Sequence, residues 1–100
     1  MTSKPATKAV PDSVEGAIRS LARQCGIRRV ILFGSRARGD NHERSDIDLA
    51  VSGGNVAEFT CDIDYETPTL LMFDVVNLDK PVSQALRDRL ERDGVVLYEE

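Results

Sequence analysis

The run Val30-Ile31-Leu32-Phe33-Gly34-Ser35-Arg36-Ala37-Arg38-Gly39-Asp40-Asn41-His42-Glu43-Arg44-Ser45-Asp46-Ile47-Asp48 joins an apolar segment to a small-residue turn and then to two alternating carboxylates. Val30 to Phe33 is short, rich in β-branched residues and closed by glycine, the pattern of a strand buried on both faces. Gly34 and Ser35 fall where that strand ends. Glycine lets the backbone turn sharply and lets a phosphate come close, and the Ser35 hydroxyl and successive backbone N–H groups can donate to phosphate oxygens. A short helix starting at Ser35 would add a favourable dipole.

Asp46 and Asp48 belong to a second strand-like run, Ser45-Asp46-Ile47-Asp48-Leu49-Ala50-Val51. Residues two apart on a strand point to one face, so both carboxylates aim at one place. Held that close they repel, and one is driven to protonate unless a cation lies between them. Mg²⁺ uses one or two carboxylates together with substrate phosphates, so the pattern suits Mg²⁺ or Mn²⁺ carrying a nucleoside triphosphate. Zinc is disfavoured, because its usual histidine and cysteine ligands are not clustered.

Gly34-Ser35, ten intervening residues, then Asp46, Asp48 and the apolar Leu49 resemble the signature of the DNA polymerase β-like nucleotidyltransferase superfamily. Within it, Phe33-Gly34-Ser35-Arg36-Ala37-Arg38-Gly39 looks like the minimal nucleotidyltransferases, small proteins often paired with a HEPN-domain partner. The resemblance runs from about Val14 to Tyr98 and implies an α/β (α+β) nucleotidyltransferase fold, a small mixed sheet flanked by helices. It also implies a third carboxylate from a neighbouring strand. Asp74 in Leu70-Leu71-Met72-Phe73-Asp74-Val75-Val76 is the obvious choice, since a lone acid buried in an apolar strand costs several kcal/mol of lost hydration unless paired or coordinated. By resemblance, Asp46 and Asp48 bridge two metals, and Asp74 completes the acceptor-side metal and helps deprotonate the attacking hydroxyl. Two ions roughly 3.5 to 4 Å apart stabilise the attacking and leaving oxygens of an in-line displacement at the α-phosphate, with pyrophosphate leaving.

Each of these residues has a plainer reading. An Asp-x-Asp pair is often a solvated strand edge, and the chain holds a second one, Asp62-Ile63-Asp64, which lacks a Gly-Ser turn and sits among Glu58, Glu66 and Pro68. That second pair reads as an exposed acidic surface. Arg36 suits a phosphate contact, and Arg38 is balanced between phosphate and solvated helix charge. Ser45 either hydrogen-bonds into the nucleotide site or simply starts the strand. His42 lies in a polar stretch and reads as a solvated loop residue.

One hundred residues make one domain that should bury roughly 65% of its extended-chain surface, enough for a core without staples. A net charge of −4 argues against broad non-specific nucleic-acid binding, which needs clustered positive charge, and no direct sequence-specific nucleic-acid binding is expected. Cys25 and Cys61 are too few for a disulfide framework or zinc site, and no leader pattern or apolar run of about 18 residues points to secretion or a membrane, so a cytoplasmic protein is expected. Residues 1–11 are polar with two prolines and read as a loose tail before a domain spanning 12–100. Val14, Ala17, Ile18, Leu21, Ala22 and Cys25 mark an amphipathic helix capped at Asp12 or Ser13 and ending before Gly26. Pro81 opens a helix burying Val82, Leu86 and Leu90 that stops at Gly94, ahead of a last strand Val95 to Tyr98. Residues 55–69 are hardest to read: Val56, Phe59 and Ile63 allow a helix, but Thr60, Asp62 and Pro68 weaken it.

Only about 26 residues follow the third acidic strand, so the acceptor surface must come from a partner, another protomer or the acceptor itself. Three functions stay open. The first is transfer of AMP from ATP to a protein hydroxyl, as the resemblance implies on a HEPN-domain toxin that it neutralises. The second is transfer to a small molecule, and the third a non-catalytic nucleotide-binding antitoxin. Homo-oligomerisation is left open.

Overall fold

A computed structural model describes residues 10–100 as four helices and four strands: α1 (Asp12–Gln24), β1 (Arg29–Phe33), α2 (Ser35–Arg38), β2 (Ile47–Ser52), α3 (Val56–Glu66), β3 (Phe73–Asn77), α4 (Gln84–Asp93) and β4 (Val95–Glu99). The strands form one mixed sheet in the order β3-β2-β1-β4. β1 is antiparallel to both β2 and β4, and β2 runs parallel to β3 through the α3 crossover. No helix among the described residues is long and apolar enough to cross a membrane.

Most of the α1 stripe is buried as its spacing predicts: Val14, Ile18, Leu21, Ala22 and Cys25 lie in the core, while Ala17 is only half-buried. Its start differs from expectation. Asp12 is the first helical residue, not a cap, and Pro11 takes the capping position, its carbonyl accepting from the N–H groups of Val14 (3.0 Å) and Glu15 (2.9 Å). Proline suits this place because its fixed φ and missing N–H cost nothing ahead of a helix. The expected tail of residues 1–11 lies mostly outside the described residues, but Val10, near its end, is 3% exposed and packs in the core.

Alternation along the strands creates two layers. Val30, Leu32, Ile47, Leu49 and Val51 face α1 and α3, where Phe59 and Ile63 are buried. Phe33 and Ala50 face α4 and pack on Leu86, with Ile31, Val76, Val82 and Leu90 around them. α4 begins later than Pro81 suggests. Ser83 is the cap, its hydroxyl accepting from Leu86 N–H at 3.1 Å, so Val82 packs from the approach to the helix.

Residues 55–66 resolve into a capped helix. The Asn55 side chain accepts from Glu58 N–H at 3.0 Å and donates to its carboxylate at 3.2 Å, a reciprocal cap. Thr60 is tolerated because its hydroxyl donates back to the Val56 carbonyl at 2.8 Å. The following strand is shorter than the apolar run Leu70 to Val76 suggests. Pro68 and a turn in which Leu71 N–H donates to the Thr69 hydroxyl delay pairing until Ile47 N–H meets the Met72 carbonyl at 2.9 Å, leaving Leu70 and Met72 exposed.

Candidate active site

Register assembles the acids. Phe33 pairs with Asp48 and Asp48 with Asp74, placing the two carboxylates in one cross-strand row on the face that carries α4. Neighbouring strands run about 4.8 Å apart. Asp46 immediately precedes β2, and because Ile47 points into the core, Asp46 shares the face of Asp48. All three acids therefore stand at one end of the sheet.

Asp74 is exposed, which overturns the sequence argument from burial. β3 is an edge strand, so an acid on it keeps its hydration. What marks Asp74 is its place in register beside Asp48. Asp48 itself is half-buried, and its carboxyl is pushed above the usual carboxylate range, first by desolvation and then by the charges of Asp74 and Asp46. Arg89 and Arg38 act in the opposite direction. Among the described residues, none of the three carboxylates has a hydrogen-bond or ion-pair partner. In their present conformations no three His, Cys, Asp or Glu side chains of those residues converge closely enough to hold a metal ion.

Gly34 sits against Asp48. Its φ of 77° and ψ of −156° suit glycine alone, and a Cβ there would overlap Asp48 Oδ2. Ser35 then opens the four-residue α2, and its hydroxyl makes no hydrogen bond among the described residues. Arg38 reaches Asp40 (3.2 Å) and Asp93 (3.9 Å), tying α2 to the end of α4.

Arg36 and Ser45 both engage the loop before Asp46. Arg36 is 4% exposed, and its guanidinium donates to backbone carbonyls of the loop before Asp46: Nε to Ser45 at 2.9 Å and Nη2 to Glu43 at 3.0 Å and His42 at 3.5 Å. The Ser45 hydroxyl accepts from His42 N–H at 2.8 Å, closing the same loop. His42 is exposed there, as expected. Asp62 and Asp64 lie on α3, whose core residues pack in the opposite layer from the three acids.

The sequence reading missed Arg89. It precedes Leu90 on α4 and its charge acts on Asp48, a placement that depends on how α4 crosses the sheet. Two surface grooves, of about 490 Å³ beneath α4 and about 600 Å³ between residues 43–44 and 69–72, are not lined by the acids.

Residues 15–100 match the family model described as polymerase beta, nucleotidyltransferase. The chain belongs to this nucleotidyltransferase family. A Methanocaldococcus jannaschii protein, named as a proposed protein adenylyltransferase, is 36% identical over 81 residues, 72% of this chain and 79% of that one. Among solved structures, a toxin–antitoxin crystallised with AMP-PNP superposes with a TM-score of 0.69 at 28% identity, over 86% of this chain and 73% of that chain. A minimal nucleotidyltransferase superposes with a TM-score of 0.62 at 29% identity, over 81% and 86% of the two chains. The reaction type of this nucleotidyltransferase is thus nucleotidyl transfer, and the small mixed sheet expected from its sequence is the sheet observed.

Proposed function

We propose that this nucleotidyltransferase transfers AMP from ATP to a hydroxyl of a partner protein, a HEPN-type toxin that it thereby neutralises in the cytoplasm. The observation that carries the reading is the row of unpartnered acids, Asp46, Asp48 and Asp74, beside the Gly34-Ser35 turn. The naming of the archaeal relative and the toxin–antitoxin likeness support the choice of protein acceptor.

The donor set fits a hard divalent cation. It offers carboxylate oxygens only, and the Asp48 carboxyl, raised first by burial and then by the charges of Asp74 and Asp46, is one whose ionised form a cation would favour. Asp46, Asp48 and Asp74 would hold Mg²⁺ or Mn²⁺, which when bound supplies charge neutralisation at the phosphates. The chain's own residues do the rest. Gly34 leaves room for the Asp48 carboxylate beside the turn, and the Ser35 hydroxyl donates to a phosphate oxygen. Asp74, on the open edge strand, takes the proton of the incoming hydroxyl. The hydroxyl oxygen bonds to the α-phosphorus as the bond to the bridging oxygen breaks, and pyrophosphate leaves.

The test adds the protein, beside its Asp46→Asn, Asp48→Asn variant, to lysate of its source cells with Mg²⁺ and ATP labelled at the α-phosphate. One discrete protein labelled by the wild type alone is the expected result. No labelled protein, with nucleotide binding intact, would remove the protein acceptor.

A further inference from the structure

Arg36 is the one charged side chain that the fold buries among the described residues. A buried guanidinium is costly unless its N–H groups meet acceptors. Here Nε and Nη2 meet the carbonyls of Ser45, Glu43 and, at longer range, His42, all in the loop that delivers Asp46. Asp46 itself is exposed and has no side-chain partner among the described residues, so its backbone decides where its carboxylate stands. That backbone is gripped on both sides. Arg36 holds the Ser45 carbonyl before it, and the Met72 carbonyl holds the Ile47 N–H after it. Arg36 is also two residues from Gly34, so one side chain links the turn against Asp48 to the loop that carries Asp46.

We infer that Arg36 is a positioning residue: it fixes loop 42–45 so that Asp46 stays in the row of Asp48 and Asp74, and it does not bind phosphate. The inference rests on the reading of those acids as the cation site. A planar guanidinium can span several carbonyls at once, whereas a lysine ammonium is a single point charge. Arg36→Lys therefore keeps the charge and loses the span.

The experiment compares wild type, Arg36→Lys and Ser45→Ala, each first checked for folding by thermal melting. Three quantities follow: hydrogen exchange at the His42 and Ser45 amides, Mn²⁺ affinity by electron paramagnetic resonance with a non-hydrolysable ATP analogue present, and metal-free affinity for ATP and AMP. In Arg36→Lys the two amides should exchange faster and Mn²⁺ affinity should fall about tenfold or more, the usual size of a lost supporting contact. Metal-free ATP affinity should change by less than about twofold. Ser45→Ala leaves Arg36 intact and loosens the same loop, so its Mn²⁺ affinity should fall in the same direction. That result carries the test if Arg36→Lys does not fold.

Wild-type Mn²⁺ affinity in a variant whose loop exchanges faster would overturn the inference. So would a fall in metal-free ATP affinity of about tenfold or more with AMP affinity unchanged, because that pattern belongs to a phosphate contact. Wild-type protein that bound no Mn²⁺ would bring down the cation site itself, an outcome distinct from failure of Arg36 alone.

Discussion

At Gly34 two demands meet. The backbone conformation there is one that residues with a Cβ avoid, and the space a Cβ needs is held by the Asp48 carboxylate. Gly34→Ala must therefore either distort the turn or push Asp48 out of its row. Strain of this kind costs about 1 to 3 kcal/mol, so melting should fall by roughly 4 to 8 °C for each kcal/mol in a domain of this size. Nucleotidyl transfer should drop about 100-fold or more, since small misplacements of reacting groups cost that much. A variant with wild-type melting and activity would show that the turn and the carboxylate are not coupled. Arg36 teaches a different lesson at the same scale. Its sequence position beside the Gly-Ser turn fits a phosphate contact and a loop clamp equally well, and only its burial and its carbonyl partners separate the two.

Elements show which signals were legible. The motif strands, the α1 stripe and the last strand are legible because each carries a clean apolar period bounded by glycine or proline, whereas α4 starts after its Ser83 cap, later than Pro81 suggests. α3 was obscured by Thr60 and Asp62, yet its start is encoded in Asn55 and Glu58, spaced as a reciprocal cap, with Val56, Phe59 and Ile63 behind them. Asp74 lies on the expected third strand but is exposed there, so burial does not mark it. No local pattern says that β3 is an edge strand, whereas parallel register with β2 puts Asp74 beside Asp48. Arg89 was hidden for a similar reason, because its place follows from helix crossing. The cap gives a test confined to one element. Asn55→Ala should cost about 1 kcal/mol of stability, measured by thermal or denaturant melting. Asn55 follows the far end of β2 from Asp48, so transfer should stay within about twofold of wild type. A large loss of activity at unchanged stability would mean that α3 reaches the site by a route its packing does not suggest.

Across the whole molecule, the three acids at one corner make the native state carry a repulsion that the unfolded chain escapes. The raised Asp48 carboxyl, caused first by desolvation and then by Asp74 and Asp46, sets the sign. The folded protein holds that proton more tightly than the unfolded chain does. Between the ordinary aspartate value and the raised folded one, the native state therefore binds more protons, and stability falls as pH rises through that window. Above the raised folded value the full penalty is present, offset in part by Arg89 and Arg38. Asp48→Asn removes it, so the metal-free variant should melt above wild type at pH 7, with the difference vanishing below the ordinary aspartate range, where Asp48 is protonated in both states. Mg²⁺ should act unequally on the two proteins. It should raise the melting temperature of wild type by binding the native state alone, less so as falling pH lets protons compete for Asp48, and should scarcely move Asp48→Asn. Melting curves over pH with and without Mg²⁺ measure both effects together. Equal or lower stability of Asp48→Asn at pH 7, with Mg²⁺ stabilising both proteins alike, would mean that the acids neither repel one another nor share a cation.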